Sequence, residues 1–316
     1  MKPFAPRKRR RIKRLIVWAG IALFSFFFVI LPVAVSFLIT NSRFRFPERG
    51  PADPAALGLE VRDVRFKSDD GIPLEGWWNP GDAMKPAIVF VHGLNRSRTE
   101  LLERAVESHK RGYGVLLFDL RNHGKSGDAY TTLGVMESHD VCAAREFLKA
   151  EAGGRPQILW GVSLGASTSL LAERRCPGSA AIISDSSFLS FSETIRHHFR
   201  LVFRLPAFPV ADIIVLLTQW RMDFDEQDGD VEAAVAALPG VPVLFIAGGD
   251  DVRMPPDLAR RLASRASSPA KELFVVPGAG HGHAFSQDRE GYLRTVFGFL
   301  DGIVEGAAGG KLKTEK

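Results

Sequence analysis

Six short apolar runs set the rhythm of the middle and end of the chain. Residues 87–91, 114–118, 158–160, 181–183, 243–246 and 273–276 contain no charged side chain. Strands that are apolar on both sides of the pleat belong to sheets covered on both faces, as parallel sheets are. Stretches of helical period lie between most of them, among them 99–110, 138–151 and 255–264. Alternating strands and helices predict an open, mostly parallel α/β sheet with helices on both faces. Ahead of this core, residues 61–67 alternate apolar and polar, Asp69-Asp70-Gly71 makes a turn, and 74–78 returns as a hairpin partner. The sheet expected is therefore eight-stranded.

Two segments break the alternation. Residues 188–230 separate the strand at 181–183 from that at 243–246, and read as two helices around a corner marked by Pro206 and Pro209. Placed over the carboxyl ends of the strands, such an insertion would form a helical lid. At the other extreme, residues 15–40 carry no charge and follow a cluster running from Arg7 to Arg14. About 20 apolar residues suffice to span a bilayer as a helix. A cleaved signal peptide usually has an apolar core of only about 7–15 residues. The expectation is an uncleaved transmembrane anchor over 15–40, with residues 1–14 as a basic cytoplasmic tail. Residues 41–60, rich in Pro, Gly and Arg, read as a linker, 61–305 as the folded domain and 306–316 as a disordered tail. The folded domain would lie on the non-cytoplasmic side, periplasmic or extracellular, in a single-pass membrane protein.

Charge and cysteines alter that picture only slightly. The net charge of the 316 residues is +5, but the first 40 hold eight basic and no acidic side chains. The rest carries 33 basic against 36 acidic residues, so no domain-wide basic footprint points to nucleic acid. Cys142 falls within a predicted helix and Cys176 just after another. Two cysteines make no disulfide framework in a domain this size, and buried free thiols are expected.

The chemistry is concentrated at strand ends. Gly161-Val162-Ser163-Leu164-Gly165 matches G-x-S-x-G between a predicted strand and a predicted helix. A tight turn there presents the central serine above the sheet edge, with the next backbone N–H aimed at the same spot. A serine hydroxyl needs a base to accept its proton, and a histidine base needs an acid to fix its tautomer. Gly-rich loops after the last two strands supply both types, Asp250 and Asp251 in one, His281 and His283 in the other. The chain order serine, acid, histidine is that of the serine hydrolases built on such sheets. No H-E-x-x-H or Cys-rich spacing suggests a metal, and no phosphate-binding loop motif occurs. His197 and His198 are adjacent on a predicted helix and do not share a face.

Taken together these motifs resemble the α/β-hydrolase superfamily, in particular membrane-anchored bacterial hydrolases of the serine-aminopeptidase-like, BEM46-like branch. The resemblance covers roughly residues 61–304 and implies the α/β-hydrolase fold. In the family the acid lies three residues after a Gly and four before a Pro, which selects Asp251 over Asp250. The G-x-G-H pattern selects His281, leaving His283 at the entrance. Phe90-Val91-His92-Gly93-Leu94 resembles the oxyanion turn, which implies that the backbone N–H of Leu94 joins that of Leu164 as oxyanion donors. His92 would brace that loop. The segment from Asp119 to Gly127 resembles D-x-R-G-x-G-x-S, with Asn122 in place of a Gly; Asp119 and Arg121 are expected to pair beneath the site. Asp185 stands where a minority of the family keep their acid, and a structural brace is its simpler role.

The expected function is a membrane-anchored serine hydrolase that cleaves an ester, thioester or amide through an acyl-enzyme on Ser163. A peptidase of the same fold and a catalytically silent binding scaffold are the alternatives. No cofactor or metal is implied. The expected partners are a small-molecule or lipid-like acyl substrate and the membrane, without nucleic acid.

Overall fold

The computed structural model describes residues 6–41, 53–238, 240–268 and 270–309. Eight strands form one sheet: β1 (Arg62–Lys67), β2 (Pro73–Asn79), β3 (Ala87–Val91), β4 (Gly114–Phe118), β5 (Gln157–Val162), β6 (Ala181–Asp185), β7 (Val243–Gly248) and β8 (Lys271–Val276). Their order is β1-β2-β4-β3-β5-β6-β7-β8. β1 and β2 pair antiparallel, β2 pairs antiparallel with β4, and every later pairing is parallel. The six apolar runs all became strands β3 to β8, and the alternating pair became the edge hairpin β1–β2.

Among the described residues eleven α-helices accompany the sheet. They are α1 (Pro6–Ser25), α2 (Leu31–Thr40), α3 (Leu102–His109), α4 (Glu137–Glu151), α5 (Leu164–Arg175), α6 (Phe191–Phe203), α7 (Val210–Met222), α8 (Val231–Ala236), α9 (Pro256–Arg265), α10 (Ala284–Gln287) and α11 (Arg289–Gly309). Side chains alternate across each strand, so β3 to β7 each feed two cores. Ile88 and Phe90 of β3 join Val115, Trp160, Leu102, Tyr292 and Val296 on the face covered by α3 and α11. Val89 and Val91 join Leu116, Leu159, Val141, Leu170 and Leu262 on the face covered by α4, α5 and α9.

α6 and α7 are the two helices expected in the insertion. Ser190 caps α6 by accepting a hydrogen bond from the Glu193 N–H, and Arg204 ends it in a left-handed conformation. Toward the N-terminus, α1, a π-helical turn at Phe26–Ile30 and α2 form one continuous apolar rod. Pro32 cannot donate to the helix, and its ring crowds the carbonyl four residues earlier. The wider π turn covers that position. The stretch Arg10–Thr40 is long and apolar enough to cross a membrane.

Two expectations need correction. Cys142 and Cys176 are joined in a disulfide rather than free. Cys142 looks out of α4 toward the end of α5, which brings the two Cα atoms to 6.0 Å, inside bridging range. The helical span of α11 continues to Gly309, past the start of the expected disordered tail; extending a formed helix is far easier than starting one. Residues 310–316 lie outside the described residues, as do 42–52 of the linker. Toward the end of that linker Leu59 is fully buried in the α3–α11 core.

Candidate active site

The turn between β5 and α5 is shaped by what its two glycines lack. Ser163 has φ 54° and ψ −115°, a conformation L-residues avoid. A Cβ on Gly161 would lie 2.2 Å from the Gly165 carbonyl oxygen, and one on Gly165 would lie 2.0 Å from that of Val91. Only glycine lets the turn fold this tightly against β3. The Ser163 N–H donates to the Asp185 carbonyl at 2.8 Å, pinning the strained residue to β6. The serine hydroxyl is thereby lifted above the carboxyl edge of the sheet.

β7 and β8 end beside it. His281 Nε2 lies 2.9 Å from Ser163 Oγ, and its Nδ1 lies 2.7 Å from Asp251 Oδ2. The other oxygen of Asp251 accepts the N–H groups of Arg253 (2.9 Å) and Met254 (2.8 Å), so the carboxylate is held on both sides. Asp251 is buried, while Asp250 sits on the rim with its backbone N–H donating to the Ala279 carbonyl. Serine, histidine and Asp251 thus form one hydrogen-bonded chain. They border a cavity of about 970 Å³ that Leu94, Asp250 and His283 also line. Leu164 opens α5, where backbone N–H groups lack intrahelical partners.

The other residues singled out in the sequence have structural positions. Asp185 stands at the end of β6, where it accepts from the Tyr292 hydroxyl (3.0 Å) and the Ser186 hydroxyl (2.9 Å), with Arg104 at 3.9 Å. Complete burial pushes its carboxyl pKa up, against the pull of Arg104. It ties β6 to α3 and α11 and makes no hydrogen bond to His281 among those described. His92 is buried: its Nδ1–H donates to the Gly93 carbonyl at 2.8 Å, and its Nε2 accepts the Leu120 N–H at 3.0 Å. Burial, with His123 alongside, lowers its pKa to about 3, so the ring is neutral and links the ends of β3 and β4. His197 donates from Nε2 to the Val252 carbonyl at 2.9 Å, which joins α6 to the acid loop. No metal-ligand cluster occurs among the described residues.

The expected Asp119–Arg121 pair does not form. Residues two apart on extended backbone share a side, yet the chain turns sharply after β4 and sends the two side chains to different neighbours. Asp119 takes Arg98 (3.2 Å) and the Arg98 and Lys125 N–H groups, while Arg121 grips Asp140 (2.7 Å) and Asp70 (2.6 Å). Burial raises the pKa of Asp70 but the Arg121 and Ser68 hydrogen bonds outweigh it, holding the carboxyl at about 2. Asn122 adopts φ 63°, the left-handed angle Asn tolerates where the family has Gly.

One site neighbour was invisible in the sequence. Glu100 accepts the Gly93 N–H at 2.6 Å, fixing the loop that carries Leu94, and burial raises its pKa. Its position seven residues after Gly93 has no motif, and only the fold brings it under the loop.

With this geometry in view, the comparisons with known proteins are decisive about kinship. Residues 88–295 match the model of the alpha/beta hydrolase family. The chain belongs to this family. An uncharacterised protein of Mycobacterium tuberculosis, Rv2307c, is 32% identical over 263 residues, which cover 81% of this chain and 85% of that one. The lysophosphatidylserine lipase ABHD12 of Xenopus tropicalis is 27% identical over 237 residues, 71% of this chain and 58% of its own length. Among solved structures, the Pyrococcus furiosus esterase Pf2001 is similar at 25% identity with a TM-score of 0.66, over 81% of this hydrolase and 96% of the esterase. The α/β-hydrolase fold, and with it hydrolase chemistry, therefore rests on family membership and on neighbours that are esterases and lipases.

Proposed function

We propose that this α/β-hydrolase is a membrane-anchored serine hydrolase acting on acyl esters, with Ser163, His281 and Asp251 as its catalytic residues. The hydrogen-bonded chain from Ser163 Oγ through His281 to Asp251 carries the reading. His281 takes the serine proton as Ser163 Oγ attacks the substrate carbonyl. The backbone N–H groups of Leu94 and Leu164 hold the developing oxyanion, where losing one donor can slow the reaction on the order of 10²–10³. His281 returns the proton to the departing alcohol, leaving an acyl-enzyme. Water, activated by the same histidine, then releases the acid and regenerates Ser163. Asp251 holds the imidazole in the Nδ1–H tautomer and stabilises it when charged.

The esterase and lipase relatives and the apolar anchor favour an ester with an apolar acyl chain over a peptide bond. For location, the basic cluster before the anchor favours a cytoplasmic N-terminus and a domain on the far side of the membrane. The Cys142–Cys176 disulfide supports the same side, since such bonds persist in oxidising compartments.

A fluorophosphonate probe tests the nucleophile: wild type should label and Ser163→Ala should not, and equal labelling would refute the assignment. A panel of acyl esters against aminoacyl amides tests the substrate class. Turnover of esters alone is expected; amide turnover alone would favour a peptidase, and a folded protein inert to every substrate and to the probe would favour a scaffold.

A further inference from the structure

We propose that the lid is itself a membrane element: the outer side of the α6–α7 hairpin lies within the lipid leaflet on the domain's side. The proposal rests on the reading of α1–α2 as a bilayer-spanning anchor.

The uncharged stretch begins at Leu15, and its second half packs against the domain. Phe27, Leu31, Val35 and Ile39, spaced four apart on one stripe, pack against the core that includes Ala211, Ile214 and Val215 of α7. Ser36 Oγ accepts from Thr218 Oγ1 at 2.9 Å and from Arg221 Nη1 at 2.6 Å. Arg221 also lies 3.5 Å over the Phe37 ring, and the Thr131 N–H donates to the Thr40 carbonyl at 2.8 Å. From Leu15 to Phe26 the rod is therefore unaccompanied for 12 residues, about 18 Å of helix. A hydrocarbon core about 30 Å thick needs about 20 residues. The missing eight residues must come from the part packed along α7. If the anchor crosses the bilayer, α7 goes about 12 Å into it.

The surface of the lid fits that depth. On the hairpin, Phe208 is 78% exposed, Trp220 79%, Val202 69% and Leu216 66%; Leu216 and Trp220, four apart, face away from the stripe of α7 that meets α2. Phe203 and Leu205, between Val202 and Phe208 in the chain, are exposed as well. In water such a surface is unfavourable, whereas an interfacial element buries its apolar face roughly 5–10 Å into the boundary of headgroups and acyl chains. Arg204, exposed at the end of α6, accompanies it with charge suited to phosphate headgroups. His197 and Arg200, three apart on α6, border a cavity with Arg253 and Met254 beside Asp251, so one element would have lipid on one side and the site on the other.

The test uses the full chain reconstituted in phosphatidylethanolamine–phosphatidylglycerol vesicles. Because the two native cysteines are paired, an introduced cysteine is the single free thiol. Phe208→Cys and Trp220→Cys should react with a membrane-impermeant maleimide at least ten-fold more slowly than Met84→Cys, a position 90% exposed far along the chain. All three should label equally in denaturing detergent. As a check that needs no cysteine, brominated lipids should quench the wild type more than Trp220→Phe. Resistance to alkaline carbonate extraction reads the anchor separately. Carbonate-resistant protein whose lid positions label as fast as position 84, with no excess quenching, would overturn the lid proposal and leave the anchor standing. Extraction by carbonate with fast labelling would refute both, whereas extraction with slow labelling would refute only the anchor.

Discussion

Ser163 can occupy its strained conformation because Gly161 and Gly165 allow the backbone of β5 to close on α5 and β3. Gly165→Ala should therefore abolish probe labelling and lower the melting temperature, because its Cβ would meet the Val91 carbonyl at 2.0 Å, a backbone atom that cannot swing aside. Asp251 and Asp250 are neighbours with different roles. Asp251→Asn should reduce kcat on the order of 10⁴ by stabilising the wrong imidazole tautomer. Asp250→Asn should change it less than ten-fold, and the reverse ranking would reassign the acid. His92 makes a prediction about stability. Its folded-state pKa of about 3 lies below the ordinary 6.5, so between those values the unfolded chain binds a proton the folded one does not. The His92 contribution is fully present above pH 6.5 and is lost as pH falls toward 3, by up to about 1.4 kcal/mol per unit. Denaturant unfolding of wild type and His92→Gln at pH 7 and pH 5 should show the shallower pH dependence in the variant.

Elements were legible in the sequence to the extent that their burial is uniform. The strands β3 to β7 are covered on both faces, so an unbroken apolar run marks each; β8, at the sheet edge, carries such a run with Leu273 exposed. The lid was legible as an interruption. What stayed hidden depends on how separate elements meet. The apposition of Cys142 on α4 with Cys176 after α5 is set by helix packing, and no spacing 34 residues apart declares it. The partners of Arg121 come from α4 and the β1–β2 turn, two places the motif around it does not mention. The proposed catalytic residues were easier, since Ser163, Asp251 and His281 each follow a strand end and inherit their positions from the sheet. The disulfide leads to an element-scale expectation. By loop closure over this separation it stabilises by at most about 4 kcal/mol, so reduction should lower the thermal midpoint without abolishing probe labelling at 25 °C.

On the proposed reading the whole molecule has two boundaries, the carboxyl edge of the sheet and the membrane, and the lid would belong to both. A C-terminal reporter that works only outside the cytoplasm, such as a periplasmic phosphatase, should be active when fused after residue 316, and activity of a cytoplasm-only reporter instead would invert the orientation. Chain order adds a consequence of the disulfide. Both cysteines precede Asp251 and His281, so in a chain emerging amino-end first the bridge can close while the acid and the base are still unmade. The nucleophile's helix would then be fastened to its neighbour in a protein that has no means of using it. Hydrolytic competence would arrive last, with the final strand, after the surrounding scaffold has already been locked.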